Sequence, residues 1–374
     1  MVVTEQQVSH FHREMLRLIV TSVNNFYPDN FDGEIRKQDW LQKGILLFEK
    51  SIRWFARLAG RNVSNLIFLL MPRNYYWQHL DEFQHTYDML SDDVSRAKYV
   101  ELLGFKMLGA SKVRLSLNTP DFPERRAAVD TYLLPEKIPV NFRQGYLQLY
   151  DLKGAGHDLK LYFVRNGIYL DFFLQQYNYE DIVSVIPGDV VIDAGACWGD
   201  TALYFASRGA SRVFSFEFIP SNLQIFNRNM ALNPHCAERI TCMEHALWES
   251  SGMEMSFEDG GPSSRVAAAG VYADSVTTLS IDEMVRQQQL KSLDFIKMDI
   301  EGAEMPALKG AAESIRRFKP KLAISVYHKP DDFLTIPAYL QKLNPDYQFY
   351  LDYYTIFGDE IVLYAINRSR SGLQ

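Results

Sequence analysis

The sequence predicts an α/β protein. Its C-terminal part reads as a Rossmann-like, mostly parallel sheet, preceded by an α-helical N-terminal domain and a small β-hairpin unit. Three observations carry this reading. From Pro187 onward, short apolar β-rich runs alternate with helical segments, the pattern of a parallel sheet covered on both faces. The first 110 residues place apolar side chains at helical spacings instead. The first apolar run of the C-terminal part ends in the turn DAGACWGD, Asp193 to Asp200, where doubly wound sheets bind their ligands. The expected division is residues 1–135 for the helical domain and linker and 136–374 for the sheet domain, with the hairpin unit at about 141–178.

Taken in order, Phe11–Val23 and Trp40–Leu58 carry helical periodicity. Leu90–Gly109 opens with Ser91 before two acids, which predicts an N-cap, and closes on a glycine. This aromatic-rich region reads as a packing domain. A substrate cap or a homo-oligomer contact through its helices is the functional alternative. Ser111 to about Pro139 carries prolines and charges and reads as linker. The runs GYLQLYDL, LKLYFV and GIYLDFF are separated by KGAGHD and by Arg165–Gly167, whose Asn-Gly pair predicts a hairpin turn. Then follow DVVIDAGA, DTALYFASRG, RVFSFEF, NLQIFNRNMALN and ITCMEHA, and, past an insertion read as loop-rich, DEMVRQQQ, LDFIKMD, MPALKGAAESIRR, KLAISVYH, IPAYLQKL, YQFYLDYY and EIVLYAI.

Composition narrows the function. A 374-residue chain with 47% hydrophobic and 23% charged residues is neither a disordered chain nor a coiled-coil rod. Its formal net charge of −7, without a Lys/Arg run, argues against nucleic acid as a partner. Cys197, Cys236 and Cys242 form neither a disulfide framework nor a CxxC zinc pair. The N-terminus lacks a basic start before an apolar stretch, and the longest apolar run, Leu66–Met71, falls far short of the ~20 residues of a membrane span. The expectation is a soluble, reduced, cytoplasmic protein.

The chemistry gathers at strand ends. Gly195 permits a tight turn and Gly199 a close helix start, while Cys197 stands where GxGxxG would place its middle glycine. Asp193 would repel a pyrophosphate but suits a cationic ligand, which points to S-adenosyl-L-methionine rather than a dinucleotide. Glu217, 24 residues beyond Asp193, is placed to accept hydrogen bonds from ribose hydroxyls. The third strand would bring His245 and Ala246 near the adenine. Cys197 reads as a small packed residue.

The strings PGDVVIDAGACWGDTALYFA, FSFEFIPSNLQIFNRNMALN, DFIKMDIEGAEMPALKGA and PKLAISVYH resemble the FkbM-type S-adenosylmethionine-dependent methyltransferases. The resemblance covers about Tyr177 to the C-terminus. It implies the class I methyltransferase fold, a seven-stranded mixed sheet ending in an antiparallel hairpin. It also implies that Asp193 and Gly195 face the methionine end, Glu217 the ribose, and His245 and Ala246 the adenine, with Ala196, Gly199, Phe218 and Asp299 also among the cofactor-binding residues. Two positions depart from the family pattern. His245 stands where an acid often precedes the alanine, and Cys197 where asparagine is common.

Asp299, Glu301 and Glu304 lie in MDIEGAE. Asp299 is read as contacting the cofactor amine or the acceptor. Glu304 is read as stabilising the start of the next helix. His328 is read as the base that takes the proton of an acceptor hydroxyl, with a strand-end histidine bonded to a loop as the alternative. Asp299, Glu301 and His328 are thus the catalytic candidates. The same three would be the ligands if a divalent metal took part, although none is expected. The loop Gly260–Ser264 reads as a turn. Together these readings predict methyl transfer to an oxygen of a small molecule, and the resemblance implies a hydroxyl of a sugar, glycolipid or polyketide-like secondary metabolite. A nicotinamide-dependent oxidoreductase and a non-catalytic cofactor-binding scaffold are the rivals.

Overall fold

The computed structural model of the chain describes residues 9–23, 25, 27, 74–140, 145–264 and 266–369. The helix expected at Trp40–Leu58 and the apolar run Leu66–Met71 lie outside these residues. The chain divides into two compact units. One comprises Met1–Asp88, Asp92–Pro120 and Thr355–Asp359; the other comprises Met89–Ser91, Asp121–Tyr354 and Glu360–Gln374.

In the first unit, the helix His10–Val23 buries Phe11, Met15 and Ile19, four residues apart, on one face. The helix Asp93–Leu108 is capped by Asp92, whose carboxylate accepts from the Ser95 N–H at 2.7 Å. The expected cap, Ser91, is therefore corrected by one residue; within the second unit its hydroxyl accepts from the Phe349 N–H. Among the described residues, no helix is long and apolar enough to cross a membrane.

In the second unit, the stretch that the sequence reads as linker carries the short helix Phe122–Ala127, a 3₁₀ turn at Ala128–Tyr132 and then a strand. β1 (Leu133–Pro139), β2 (Tyr146–Asp151) and β3 (Lys160–Phe163) form an antiparallel sheet in that order. The expected third run, GIYLDFF, is not a strand. Arg165–Ile168 is an α-helix and Tyr169–Phe173 a π-helix, so the Asn-Gly pair makes no hairpin. The reason is packing. Ile168, Tyr169 and Phe172 share a buried face at helical spacing, and the Phe163 ring lies where a side chain on Gly167 would stand.

The remaining strands are β4 (Val190–Ala194), β5 (Arg212–Phe216), β6 (Ile240–Met243), β7 (Ala246–Leu247), β8 (Glu254–Phe257), β9 (Val266–Ala268), β10 (Asp274–Leu279), β11 (Phe295–Met298), β12 (Lys321–Ser325), β13 (Tyr347–Tyr353) and β14 (Ile361–Asn367). Seven of them build the mixed sheet β13-β14-β12-β11-β4-β5-β6, parallel except for the antiparallel β14. This is the seven-stranded mixed sheet, ending in an antiparallel hairpin, that the resemblance implies. The insertion read as loop-rich is a second, smaller sheet, β7-β10-β8-β9.

The chain runs outward from β4 through β5 to β6, then returns to place β11 on the other side of β4. The carboxyl ends of β4 and β11 flank this reversal, which positions the site. The two strands are buried along nearly their whole length, as strands covered on both faces must be.

Two asparagines tie β3 to the helix Pro220–Leu232 and its C-cap. Asn229 Oδ1 accepts from the Tyr162 N–H at 2.7 Å, and its amide donates to the Tyr162 carbonyl at 3.1 Å. Asn233 repeats the pair on Lys160, at 2.9 and 2.6 Å. Four residues apart on one helical face, the two side chains complete the edge of β3 as a neighbouring strand would.

Candidate functional site

A cleft opens at the carboxyl ends of β4, β5 and β11, enclosing about 610 Å³ of empty space up to and including its mouth. Of the expected site residues it is lined by Gly195, Glu217, Phe218, His245, Ala246, Asp299 and Glu301. Gly195 has φ +83°, and a Cβ there would run into the Asp299 carbonyl oxygen. Only glycine lets the turn after β4 pass this close to the end of β11. The N–H groups of Gly195 and Ala196 both donate to the Phe216 carbonyl, at 3.1 and 3.0 Å, which ties the turn to β5. Ala196 is fully buried and packs beneath the cleft. Gly199 caps the helix Asp200–Ser207 at φ +84°, against Phe226 and Met230.

Glu217 ends β5 in a set of donors. Its Oε1 accepts from the Phe218 and Ile219 N–H groups, both at 2.7 Å, and its Oε2 from the Asn222 amide at 3.1 Å. Burial nevertheless outweighs these bonds and pushes its carboxyl up to about 7. His245 Nδ1 is buried at the cleft without a hydrogen-bond partner. Cys197 adopts φ +47° in the turn, and loss of hydration, then the charges of Asp200 and Glu217, hold its thiol proton well above the usual range. It is a packed wall of the cleft, not a nucleophile.

Asp193 does not face the cleft, which corrects the sequence reading. It is fully buried, accepts from Thr201 Oγ1 at 2.8 Å and Ser215 Oγ at 3.2 Å, and pairs with Lys297 Nζ at 3.4 Å. The parallel register makes Lys297 its direct partner on β11, so the pair is set by strand alignment. Lys297 also donates to the Ala194 and Gly195 carbonyls, at 3.1 and 2.7 Å, and so holds the turn from below. Sequence reasoning passed over Lys297. Its signal was a lone cation inside the apolar strand FIKM, where only a buried partner can keep it.

Asp299 follows β11, where Tyr177 donates to its Oδ2 at 3.1 Å and Tyr327 to its Oδ1 at 3.4 Å. His328 follows β12 with its side chain 5% exposed. Its Nε2 lies 3.5 Å from Asp299 Oδ1 and 3.8 Å from Glu301 Oε2, and its Nδ1 lies 2.9 Å from Glu304 Oε1. Burial alone would lower the pKa of His328, but Glu304 and the charges of Asp299 and Glu301 raise it to about 9. In the isolated protein this favours the imidazolium at neutral pH. Glu304 begins the helix Glu304–Lys309, as expected, and its Oε1 accepts from the Ile300 and Gly302 N–H groups at 2.9 and 3.3 Å. Its proximity to His328 was not legible in sequence. The loop Gly260–Ser264 is a turn whose Gly261, Pro262 and Ser264 also line the cleft.

Known proteins share this domain. Residues 193–349 match the family model described as the Methyltransferase FkbM domain. Over 134 residues the chain is 28% identical to the hexuronic acid methyltransferase AglP of Haloferax volcanii; the match covers 34% of this chain and 52% of that protein. The chain thus spans about half the length of this curated relative. The solved methyltransferase FkbM from Methylobacillus flagellatus is 24% identical with a TM-score of 0.48, over 77% of this chain and 59% of that one. Fibrillarin from Aeropyrum pernix, solved with natively bound S-adenosyl-L-methionine, is 12% identical with a TM-score of 0.36, over 63% of this chain and 99% of that one.

Proposed function

We propose, from the premise that residues 193–349 form an FkbM methyltransferase domain, that the protein binds S-adenosyl-L-methionine in the β4–β5–β11 cleft. There it methylates a hydroxyl of a small molecule of the sugar class. The single observation that carries the reading is the pairing of Glu217 with the Gly195 turn in one cleft at the sheet's topological reversal. The residues fit the cofactor. Glu217 would accept from the ribose hydroxyls, the unpartnered His245 Nδ1 and the neighbouring Ala246 would meet the adenine edge, and Asp299 would hold the methionine ammonium. The sugar acceptor draws on the name of the Haloferax volcanii relative.

The cofactor supplies an electrophilic methyl group on a sulfonium, and the chain supplies proximity, orientation and charge. Lys297 and Tyr177 hold the Gly195 turn and Asp299 in place from beneath the cleft. Because His328 carries a proton at neutral pH in the isolated protein, the acceptor's proton leaves to water in this reading, and His328 fixes the carboxylates around it. A nicotinamide dinucleotide is disfavoured, since Cys197 occupies the place of a phosphate-cradling glycine. The test is calorimetric titration of the full chain with S-adenosylhomocysteine, with NADH in parallel. Saturable binding of the thioether alone is expected. Binding of NADH alone, or of neither, overturns the reading.

A further inference from the structure

At the inner end of the cleft, Asp299 after β11, Glu304 and His328 after β12 converge. Each offers one donor atom, and the three atoms lie within 4.8 Å of one another. The side chains of Asp299, Glu304 and His328 are 19%, 1% and 5% exposed. A divalent ion with bonds of about 2.0–2.2 Å sets its ligand atoms roughly 3–4 Å apart. The 3.5 Å between His328 Nε2 and Asp299 Oδ1 is of that size.

A second, independent observation points to a ligand here. Among the described residues, eight buried side-chain nitrogen or oxygen atoms have no hydrogen-bond partner. One of the eight is Glu304 Oε2, on a side chain that is 1% exposed. A buried carboxylate oxygen left without a donor calls for an occupant. Glu304 Oε1 already serves two backbone N–H groups, so Oε2 is the oxygen left to bind.

We propose that Asp299, Glu304 and His328 bind a first-row divalent cation of the Mn²⁺ or Zn²⁺ class at the inner end of the cleft. Two carboxylates and one imidazole, which gives up its proton to water as the ion binds, balance a double charge, and this mixed oxygen and nitrogen set suits Mn²⁺ or Zn²⁺ better than a soft, thiolate-seeking ion. The ligand set differs in one residue from the trio the sequence suggests, Glu304 replacing Glu301. Glu304 lies at the core of the cluster, whereas Glu301 Oε2 is 3.8 Å from the imidazole. Asp299 also lines the cleft, so the ion would keep coordination positions open toward a ligand there. The ion's part in the reaction rests on the methyltransferase reading: an acceptor hydroxyl on the ion would lose its proton to water. Its oxygen would then form the new bond to the methyl carbon, while the sulfur keeps the electron pair of the broken S–C bond.

The test uses the full chain, stripped with a chelator and titrated calorimetrically with MnCl₂ and with ZnCl₂. The wild type should bind one equivalent of at least one ion. His328→Gln and Glu304→Gln should each weaken that binding about tenfold or more. Circular dichroism and the thermal melting of each variant serve as the control for folding, and His328→Asn replaces any variant that fails it. No saturable metal binding by the wild type, or binding unchanged in the folded variants, overturns the proposal. The two readings fail separately. Thioether binding without metal binding sinks the ion alone, whereas metal binding without thioether binding sinks the methyltransferase reading.

Discussion

Replacing Glu217 by glutamine keeps the shape of the side chain and removes its charge. In the empty cleft, burial holds this carboxyl near 7. Ribose hydroxyls donate, so the bound cofactor favours the ionised form, and affinity rises as pH rises through that value. The carboxylate fraction grows from about a tenth at pH 6 to about nine-tenths at pH 8, an affinity gain of about ninefold, or ~1.3 kcal/mol. At pH 8 the Gln variant should bind S-adenosylhomocysteine about 10- to 150-fold more weakly, the ~1.5–3 kcal/mol of hydrogen bonds to a charged group. Its affinity should also lose the wild-type slope. Stability carries the opposite sign. Glu217 ionises at an ordinary 4.5 when unfolded but only near 7 when folded, so the unliganded protein loses about 3 kcal/mol as pH rises between those values. Asp332 also titrates near 7 and Asp200 near 6, so the comparison between wild type and variant isolates Glu217. Calorimetry at pH 6, 7 and 8 and constant ionic strength is the assay. A Gln variant that keeps the full pH slope refutes the reasoning, because some other group then controls the ribose end.

Lys297→Met should lower unfolding stability by about 3–5 kcal/mol in urea titration, because it leaves Asp193 charged and fully buried without its partner. Adding Asp193→Asn should recover part of that loss, and additive losses would show that the two groups are not coupled. Gly195→Ala should cost about 1–2 kcal/mol for the left-handed backbone alone and abolish thioether binding, since its methyl group would force β4 and β11 apart at the Asp299 carbonyl. Wild-type affinity in that variant would remove the turn from the binding site. Asn229→Ala should lower stability by about 2–4 kcal/mol, since it orphans the Tyr162 amide and carbonyl and the Trp198 carbonyl. Equal denaturation midpoints for this variant and wild type would mean that water replaces the amide without cost.

Much of the fold was legible because its signals are local. The runs VVIDA, FIKM and KLAIS are nearly uninterrupted apolar strands, and the segments between them carry a helical period, so sheet and helices follow from spacing alone. The segment Tyr169–Phe173 misled because aromatic residues and an Asn-Gly pair mark hairpins as well. What settled it was side-chain packing, with the Phe163 ring over Gly167 four residues on. The linker reading of Leu133–Pro139 failed in the same way, since its prolines and charges sit on a strand whose partner, β2, supplies the pairing.

The site divides along the same line. Gly195 and Glu217 were legible because a tight turn and a strand-end acid depend on position within one βαβ unit. The direction in which Asp193 faces was not, because it depends on Lys297, more than a hundred residues away, standing beside it in the β4–β11 register. Nor was the grouping of Asp299, Glu304 and His328, whose donor atoms meet only when β11 and β12 lie side by side and the helix after β11 turns back toward them. Residue identity and local period determined the sheet, its helices and the acid at the end of β5. Tertiary structure alone decided which buried charges meet, because a charge takes its partner and its protonation from groups that only the folded sheet brings within a few ångströms.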